Sequence, residues 1–243
     1  YYRELLTTDR DAYGIYVQSP FPKENRRILI GSDVSSRYTR RNRAEYRKIA
    51  GYIARCVWQR QGNYMVFFPP YRLMEDVLQV YEEEFSVDWV RCVCQTPDMT
   101  EKEREGFLEE FQEREGTLVG FCVLGGIFSE GVDLTGESLI GAVIVGTGLP
   151  QIGSQREILK EYYDKKNHCG FDYAYRYPGM NKVLQAAGRV IRTKEDKGVI
   201  LLLDDRFWDR DYQEIFPREW QDRTGCRLDT VEGAVETFWK RFT

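Results

Sequence analysis

Short, mostly apolar runs recur along the chain, and longer polar or amphipathic stretches separate them. Each run is five to seven residues long, which suits a strand better than a helix. Val199–Leu203 is apolar without interruption, as expected of a strand buried on both faces. The alternation of strands and helices predicts an α/β fold with a parallel sheet and helices on both faces. The predicted strands are Arg27–Gly31, Tyr64–Phe68, Trp89–Gln95, Leu118–Leu124, Leu139–Val145 and Val199–Leu203.

The stretches between these strands carry helix signals. Thr100, followed three residues later by Glu103, forms a capping box that starts a helix. Thr230 is a candidate cap for the last helix, because its hydroxyl can accept from a free backbone N–H. The predicted helices are Asn42–Gln61, Arg72–Glu84, Thr100–Glu115, Glu157–Lys165 and Asp229–Phe242.

A polar insertion at about residues 150–178 ends in four aromatic residues at alternate positions. The alternation predicts a strand, or equally a loop that packs on the core. Because Arg176 lies among these rings, they could stack on nucleic-acid bases. Burial in the core is the commoner use of such rings and is the favoured interpretation. The four residues are Phe171, Tyr173, Tyr175 and Tyr177.

The stretch Gln185–Arg192 combines an apolar side with two cations. On a helix, Gln185, Arg189 and Arg192 fall within one narrow arc, opposite the apolar residues. Gly188 lies beside that arc and costs the helix about 1 kcal/mol relative to alanine, which favours a role in close approach. Two guanidinium groups one turn apart suit a polyphosphate, because each is a planar fork of donors that keeps its charge. The alternative is a solvated basic face.

Charge is distributed unevenly along the 243 residues, although the net charge is only −4. Residues 37–60 hold eight Lys or Arg and one acid, whereas residues 75–115 hold fourteen acids and four bases. This asymmetry allows a basic patch but not a generally basic protein. No apolar run approaches about 18 residues and no signal peptide is visible, which predicts a soluble, cytoplasmic protein. The chain begins with Tyr rather than Met, so we expect a fragment.

The six cysteines give no metal-site pattern. Cys92 and Cys94 point to the same face of a strand, but no second pair with ligand spacing accompanies them. Isolated cysteines of this kind usually act as small core side chains. The sequence therefore predicts no metal site.

Four motifs in order resemble the second motor lobe of superfamily 2 helicases of the DinG/XPD-like branch. They are Ser19-Pro20-Phe21, the segment Asn63–Pro69, Ser129-Glu130-Gly131-Val132-Asp133, and Gln185–Arg192 with its trailing Asp204-Asp205-Arg206-Phe207. The resemblance implies a RecA-like lobe over residues 19–243, with the insertion at about 150–178. Residues 1–18 are expected to be a lead-in from a preceding region.

The resemblance also implies that ATP lies in a cleft between this lobe and the first RecA-like lobe of the same polypeptide. Arg189 and Arg192 are then catalytic, Gln185 contacts the phosphates or their water, and Gly131 and Asp133 shape the nucleotide side. The simpler interpretation of Asp133 is a cap. The chain lacks the GxxxxGK[ST] phosphate cradle, so we expect it not to hydrolyse ATP alone. The first lobe holds most contacts to ATP and Mg²⁺, and an iron–sulfur cluster, where the family has one, belongs there too.

Single-stranded DNA is the other partner that the resemblance implies. Ser129 and Glu130 are expected where nucleotide state is relayed to the bound strand, and Tyr71 and Arg72 match the strand-contacting loop. Pro70 departs from the serine that the family often has, which removes one hydroxyl. Further candidates are Arg37, Arg40, Arg41 and Arg43, although a run of arginines is often only a solvated face.

Two other classes of function stay open on sequence grounds. One is a catalytically silent RecA-like module that binds nucleic acid or protein. The other is a metabolic α/β enzyme, but the only histidine, His168, lies in the polar insertion without a nucleophile motif nearby.

Overall fold

A seven-stranded sheet forms the centre of the computed structural model, which describes residues 5–7, 9, 13–112, 116–128, 134 and 136–242. The strands are β1 Arg26–Gly31, β2 Asn63–Phe68, β3 Val90–Cys94, β4 Thr117–Val123, β5 Gly141–Val145, β6 Gly198–Leu203 and β7 Thr224–Cys226. Their order is β3-β4-β2-β5-β6-β1-β7, and every neighbouring pair is parallel. The predicted parallel sheet and its six predicted strands are confirmed. The short edge strand β7 has no apolar run and was not predicted.

Seven α-helices are present in the described part of the chain. They are α1 Arg43–Val57, α2 Tyr71–Glu84, α3 Glu101–Glu110, α4 Ser154–Asn167, α5 Tyr177–Ala187, α6 Arg210–Gln213 and α7 Val231–Trp239. The capping box of Thr100 and Glu103 is present at the start of α3, as predicted. Thr230 does not cap α7 through its side chain, because its hydroxyl bonds to the backbone of Arg227 instead.

Helices cover both faces of the sheet, which confirms the predicted layers. Alternate residues of β6 point to opposite faces, as the strand period requires. Val199, Leu201 and Leu203 join a core with α1, α2 and α7. Ile200 and Leu202 join a second core with α3, α5 and the segment that follows β6. Each strand position in β6 is buried, as expected of an interior strand that helices cover on both faces.

The aromatic end of the insertion is helical, and neither a strand nor a loop as predicted. Asp172–Arg176 forms a π-helical turn that runs directly into α5. Tyr173 is buried and its ring stacks on that of Tyr163 in α4, with 3.9 Å between ring centroids. Tyr175 is also buried, so these two rings pack within the protein and are not free platforms for bases.

The two ends of β6 define two edges of the sheet. At the carboxyl edge, the strands are followed by the loops that begin at Ser32, Pro69, Gly146 and Asp204. At the amino edge, residues 188–197 join α5 to β6, and we call them the arginine loop. A strand of six residues separates the two edges by about 20 Å, at about 3.3 Å per residue. A site at one edge is therefore distinct from a site at the other.

Candidate nucleotide and nucleic-acid sites

The Gln185–Arg192 stretch is only partly helical, which corrects the prediction made from its spacing. The helix α5 ends at Ala187, and Gly188 is its C-terminal cap residue. Beyond it, the N–H of Arg189 donates to the carbonyl oxygen of Ala186 at 3.2 Å. A bond that reaches back three residues tightens the helix end into a 3₁₀-like turn. The two arginines therefore do not share one helical face.

The two arginines also differ in exposure. Arg189 is 8% exposed, and its neighbours Val190 and Ile191 belong to the second core. Arg192 and Gln185 are exposed. Since a guanidinium keeps its proton, Arg189 places a fixed positive charge inside the fold. Of the two arginines, Arg192 is the one that an incoming ligand can reach directly.

A buried carboxylate fixes the backbone of the arginine loop. Asp196 is 4% exposed and accepts from the N–H groups of Arg192 and Thr193, each at 2.7 Å. It also accepts from the Thr193 hydroxyl at 2.8 Å and from the N–H of Gly136 at 3.2 Å. Burial raises the pKa of the Asp196 carboxyl, but these hydrogen bonds outweigh burial and hold the pKa below its usual value. Asp196 was not among the residues predicted from the sequence.

A groove of about 380 Å³ runs beside the arginine loop. Gly188 and Arg192 line it together with Ser19 and Phe21 of the first motif. Arg26, at the start of β1, lines it as well and donates through Nη2 to the backbone oxygen of Glu219. The fold thus brings the first and last motifs together at the amino edge, although 169 positions separate Ser19 from Gly188 in the sequence.

The third motif lies outside the described residues. Ser129, Glu130, Gly131 and Asp133 are among the positions that the structure does not describe. The chain enters this motif from the carboxyl end of β4, and Gly136, soon after it, hydrogen-bonds Asp196 of the arginine loop. The described residues before the motif therefore lie at the carboxyl edge, and Gly136 after it lies beside the arginine loop at the amino edge.

Most of the predicted nucleic-acid residues lie at the opposite, carboxyl edge. Tyr71 and Arg72 begin α2 just after β2, and Arg37 and Arg40 lie in the loop after β1. Arg37 and Pro69 line one small pocket, so the loops after β1 and β2 are adjacent. The structure thus brings these four predicted residues to the same edge.

Acidic neighbours compensate several of these arginines. Arg37 and Arg40 both pair with Asp205, at 3.3 Å and 3.5 Å. Arg43, at the start of α1, pairs with Glu83 of α2 at 2.7 Å. Arg72 is exposed and makes no ion pair with any residue that the structure describes. Because exposed pairs are worth at most about 1 kcal/mol, they leave Arg37 and Arg40 able to exchange partners.

The side chain of Tyr71 is held in place by its hydroxyl. That hydroxyl accepts from Nε2 of Gln95 at 2.9 Å and donates to the backbone oxygen of Thr96 at 3.4 Å. Gln95 is buried at the end of β3 and also accepts from the N–H of Val123 in β4. Burial raises the pKa of Tyr71, against the smaller opposite effect of the Gln95 bond. The hydroxyl is thus engaged, and the half-buried ring packs against the first core.

A second buried carboxylate organises the carboxyl edge. Asp204 is fully buried and accepts from the N–H and hydroxyl of Ser36 at 2.9 Å and 2.6 Å. It also accepts from Nε and Nη2 of Arg206 at 2.7 Å and 2.9 Å, a bidentate pair. Burial raises the pKa of Asp204, but the bonds and charge of Arg206 lower it to a value below its usual range. Sequence reasoning noted Asp204 and Arg206 as part of a motif but assigned them no role.

Neither a metal centre nor a membrane span appears in the described ranges. No group of three or more His, Cys, Asp or Glu there could hold a metal ion, and no helix there is long and apolar enough to cross a bilayer. Cys92 and Cys94 both pack against the first core, as expected for side chains on one strand face. Burial raises their pKa values to about 12 and about 11, so both are thiols at neutral pH.

Comparisons with known proteins agree with these features. A model of the helicase C-terminal domain family matches residues 53–223. A probable ATP-dependent helicase of Methanocaldococcus jannaschii is 28% identical over 206 residues, which are 80% of this chain and 31% of that protein. The ATP-dependent DNA helicase XPD of Sulfolobus acidocaldarius is 29% identical over 189 residues, which are 73% of this chain and 31% of that protein. A solved XPD helicase has a TM-score of 0.65 at 23% identity, over 83% of this chain and 35% of that chain.

The chain belongs to the helicase C-terminal domain family, as the second lobe of a DinG/XPD-type superfamily 2 protein. The shared fold with the solved XPD helicase confirms the predicted RecA-like sheet. The chain spans 31% of the length of each of the two relatives named above.

The buried carboxylate of the arginine loop generates a prediction about pH. Because the folded pKa of Asp196 lies below its unfolded value of about 3.9, its stabilisation is present above that pH and is lost as pH falls through the folded pKa. We expect Asp196→Asn to lower the free energy of unfolding at pH 7 by about 1–3 kcal/mol, since an acceptor of four hydrogen bonds is replaced. Its loss of stability below about pH 4 should be less steep than that of the unsubstituted chain.

Urea denaturation at a series of pH values from 7 to 3 measures both effects, with Asp229→Asn on the exposed surface as the control. Parallel profiles for Asp196→Asn and the unsubstituted chain below about pH 4 would show that the carboxylate is not linked to folding.

Proposed function

We propose that this chain is the second motor lobe of an ATP-dependent DNA helicase. In this proposal the amino edge completes an ATP site whose other half is on the first lobe of the same polypeptide. The carboxyl edge grips single-stranded DNA. The observation that carries the proposal is the structure of the arginine loop. In this loop the buried carboxylate of Asp196 fixes the backbone at Arg192, whose side chain is exposed.

The proposed chemistry is stabilisation of charge on the phosphoryl group that is transferred. ATP supplies that group, and the exposed guanidinium of Arg192 offers two parallel donors to its oxygens. Because the backbone of Arg192 is already held by Asp196, only its side chain has to be ordered when nucleotide binds. An arginine finger, supplied in cis or in trans, contributes roughly 10³ to 10⁵ in rate in GTPases.

The other predicted nucleotide residues take supporting parts in this proposal. Arg189 is buried and adds a positive charge behind the loop, while exposed Gln185 on the last turn of α5 contacts the phosphates or their water. Gly131 and Asp133 stay predictions, because they lie outside the described residues. Since the chain lacks a phosphate cradle, we propose that it has no ATP turnover by itself and that the first lobe holds Mg²⁺.

The proposed grip on DNA is through the phosphate backbone. A translocating motor must ignore sequence, and contacts to phosphates carry no sequence information. Arg72 is exposed without a partner among the described residues, and Arg37 and Arg40 lie on the adjacent loop. The ring of Tyr71 is held at the same edge, and in this proposal its exposed part contacts the strand.

The first test of this function concerns the arginine loop. In the full-length protein, Arg192→Lys should lower ATP turnover at least about tenfold, because an ammonium cannot reproduce the planar fork. Nucleotide binding should fall less than turnover, since the contact strengthens in the transition state. The steady-state rate and the nucleotide dissociation constant are measured on the same samples, together with the melting temperature.

Arg210→Lys is the matched control, because Arg210 is 89% exposed on the short helix α6. Arg189→Lys is measured in the same way. A lower melting temperature for this variant would indicate that the buried arginine has a structural role. Normal turnover by folded Arg192→Lys would contradict the assignment.

A second test concerns the carboxyl edge. In the full-length protein, Arg72→Ala should weaken binding of single-stranded DNA about uniformly across sequences, because it removes a cation that neutralises a phosphate. The slope of log K against log salt should become shallower by about 0.7 for each phosphate that is no longer neutralised. Lys240→Ala is the control, since Lys240 is 68% exposed and directly follows α7, outside the loops of the carboxyl edge. Equal effects of the two substitutions on DNA affinity would mean that Arg72 faces elsewhere.

A further inference from the structure

The strand β3 is an outer strand of the sheet, and among the described strands it pairs with β4 alone. Directly after β3, the backbone N–H of Gln95 donates to the backbone oxygen of Phe121 in β4 at 2.8 Å. Since the backbone groups of successive strand residues point to opposite sides, the N–H and C=O groups of Cys92 and Cys94 point away from β4. These groups form a free edge, to which a further strand can add.

The sequence of β3 does little to protect this free edge. Natural edge strands are often protected by proline, by charged side chains or by bulges. The strand reads Val90-Arg91-Cys92-Val93-Cys94, and its register with β4 has no bulge. Its single charged residue, Arg91, forms an ion pair with Glu110 of α3. The free edge is therefore open to pairing along Cys92–Cys94.

Two exposed carboxylates of α2 flank the free edge. Glu75 and Glu82 are seven positions apart, which places them on one side of the helix, about 10 Å apart along its axis. Burial raises the pKa values of Cys92 and Cys94, and negative charge on Glu82 raises both pKa values further. Charge on Glu75 also raises the pKa of Cys94, so both carboxylates lie near the free edge. Neither forms an ion pair with a residue that the structure describes.

The surface around the free edge is acidic, which favours a basic partner. Residues 75–115 include β3 and hold fourteen acids and four bases. Opposite charges across an interface steer association, whereas like charges oppose it. Antiparallel pairing of two β3 strands would place the α2 helices of two copies on the same side of the joined sheet, with Glu75 and Glu82 of both copies close together. Charge therefore favours a basic segment over a second copy of this chain.

We propose that the free edge of β3 binds an extended, lysine- or arginine-rich segment of a partner protein as an added strand. The backbone of that segment bonds to Cys92 and Cys94, and its basic side chains on one face reach Glu75 and Glu82. Main-chain bonds of this kind supply affinity, and the side chains supply specificity. Alternate residues of a strand are about 7 Å apart on one face, so basic residues at alternate positions suit the two carboxylates. The free edge runs along the side of the sheet and is distinct from the amino and carboxyl edges, where nucleotide and DNA are proposed to bind.

The test uses the full-length protein and three fluorescent peptides of about eight residues, a usual strand length. The lysine peptide alternates Lys and Thr, the glutamate peptide alternates Glu and Thr, and the N-methylated peptide has the lysine sequence without backbone N–H donors. Fluorescence anisotropy gives the affinities, and amide hydrogen exchange gives the protection of residues 90–94. We expect the lysine peptide to bind and to slow exchange there. The other two should bind at least about tenfold more weakly, because one lacks the complementary charge and the other lacks several hydrogen bonds.

Substitution of both carboxylates tests the charge of the surface. Glu75→Gln combined with Glu82→Gln should weaken binding of the lysine peptide about fivefold at low salt, since two exposed ion pairs are lost. The effect should shrink at about 1 M salt, because salt screens exposed charges. Glu161→Gln combined with Glu232→Gln is the matched control, since both residues are exposed and lie on α4 and α7. This control should leave the affinity unchanged.

Cys92→Pro tests the backbone of the free edge. Proline removes the N–H that points away from β4 and leaves the hydrogen bonds between β3 and β4 in place. Affinity for the lysine peptide should fall about fivefold, because one main-chain bond to the added strand is lost. The melting temperature is measured for every variant, and the N-methylated peptide decides the matter if Cys92→Pro does not fold.

The outcomes distinguish an added strand from other uses of this surface. Binding of the lysine peptide with protection of residues 90–94, weakened by the two glutamine substitutions, supports the proposal. No binding of the lysine peptide at low salt, or equal binding of the N-methylated peptide, overturns it. Unchanged affinity in folded Glu75→Gln with Glu82→Gln overturns the basic partner. Self-association of the full-length protein that Cys92→Pro abolishes would assign the free edge to a second copy and would also overturn the proposal.

Discussion

The parallel pairing of β6 with β1 and β5 is the constraint on which the rest of the structure depends. Gly198–Leu203 is aligned with Arg26–Gly31 on one side, and Val199–Leu203 with Gly141–Val145 on the other. A slip of one residue would send every side chain of β6 to the wrong core. The register therefore fixes both ends of the strand at once. One end receives the arginine loop and the other begins at Asp204.

The two edges are built in the same way, around a buried carboxylate that accepts several hydrogen bonds. Asp196 accepts hydrogen bonds from backbone N–H groups of the arginine loop, and Asp204 accepts them from Ser36 and Arg206. Burying a carboxylate is costly unless donors satisfy it, so each arrangement holds only while its donors stay in place. In return, each carboxylate fixes the position of a loop that carries an arginine. Gly136 links the first of these loops to the chain that leaves β4.

The sequence was sufficient to predict the layers of the fold, because they depend on local periodicity. The strand Val199–Leu203 and the other strands could each be predicted from the apolar pattern of their own residues. The arginine stretch was placed wrongly on a helix, since Gly188 was taken as an interior glycine, whereas glycine also commonly ends helices. Its side chains are therefore arranged by the loop and not by helical spacing.

The contacts of the candidate sites could not be predicted from local pattern. Ser36 and Asp204 are 168 residues apart, and the pairing of Arg37 and Arg40 with Asp205 spans a similar distance. Only the sheet order brings these loops together. The resemblance supplied the motifs and their order, but not the exposure that distinguishes Arg192 from Arg189.

The central claim is that Arg192 acts on the charge of the transition state in a nucleotide site shared with a first lobe. The most direct test measures the affinity of the full-length protein for ADP with aluminium fluoride, which mimics that charge, and for ADP alone. Arg192→Lys should lower the affinity for the transition-state mimic at least about tenfold and the affinity for ADP less than about twofold, because the contact is made to the transferring group. Equal losses for both ligands, or no loss for either, would contradict the claim.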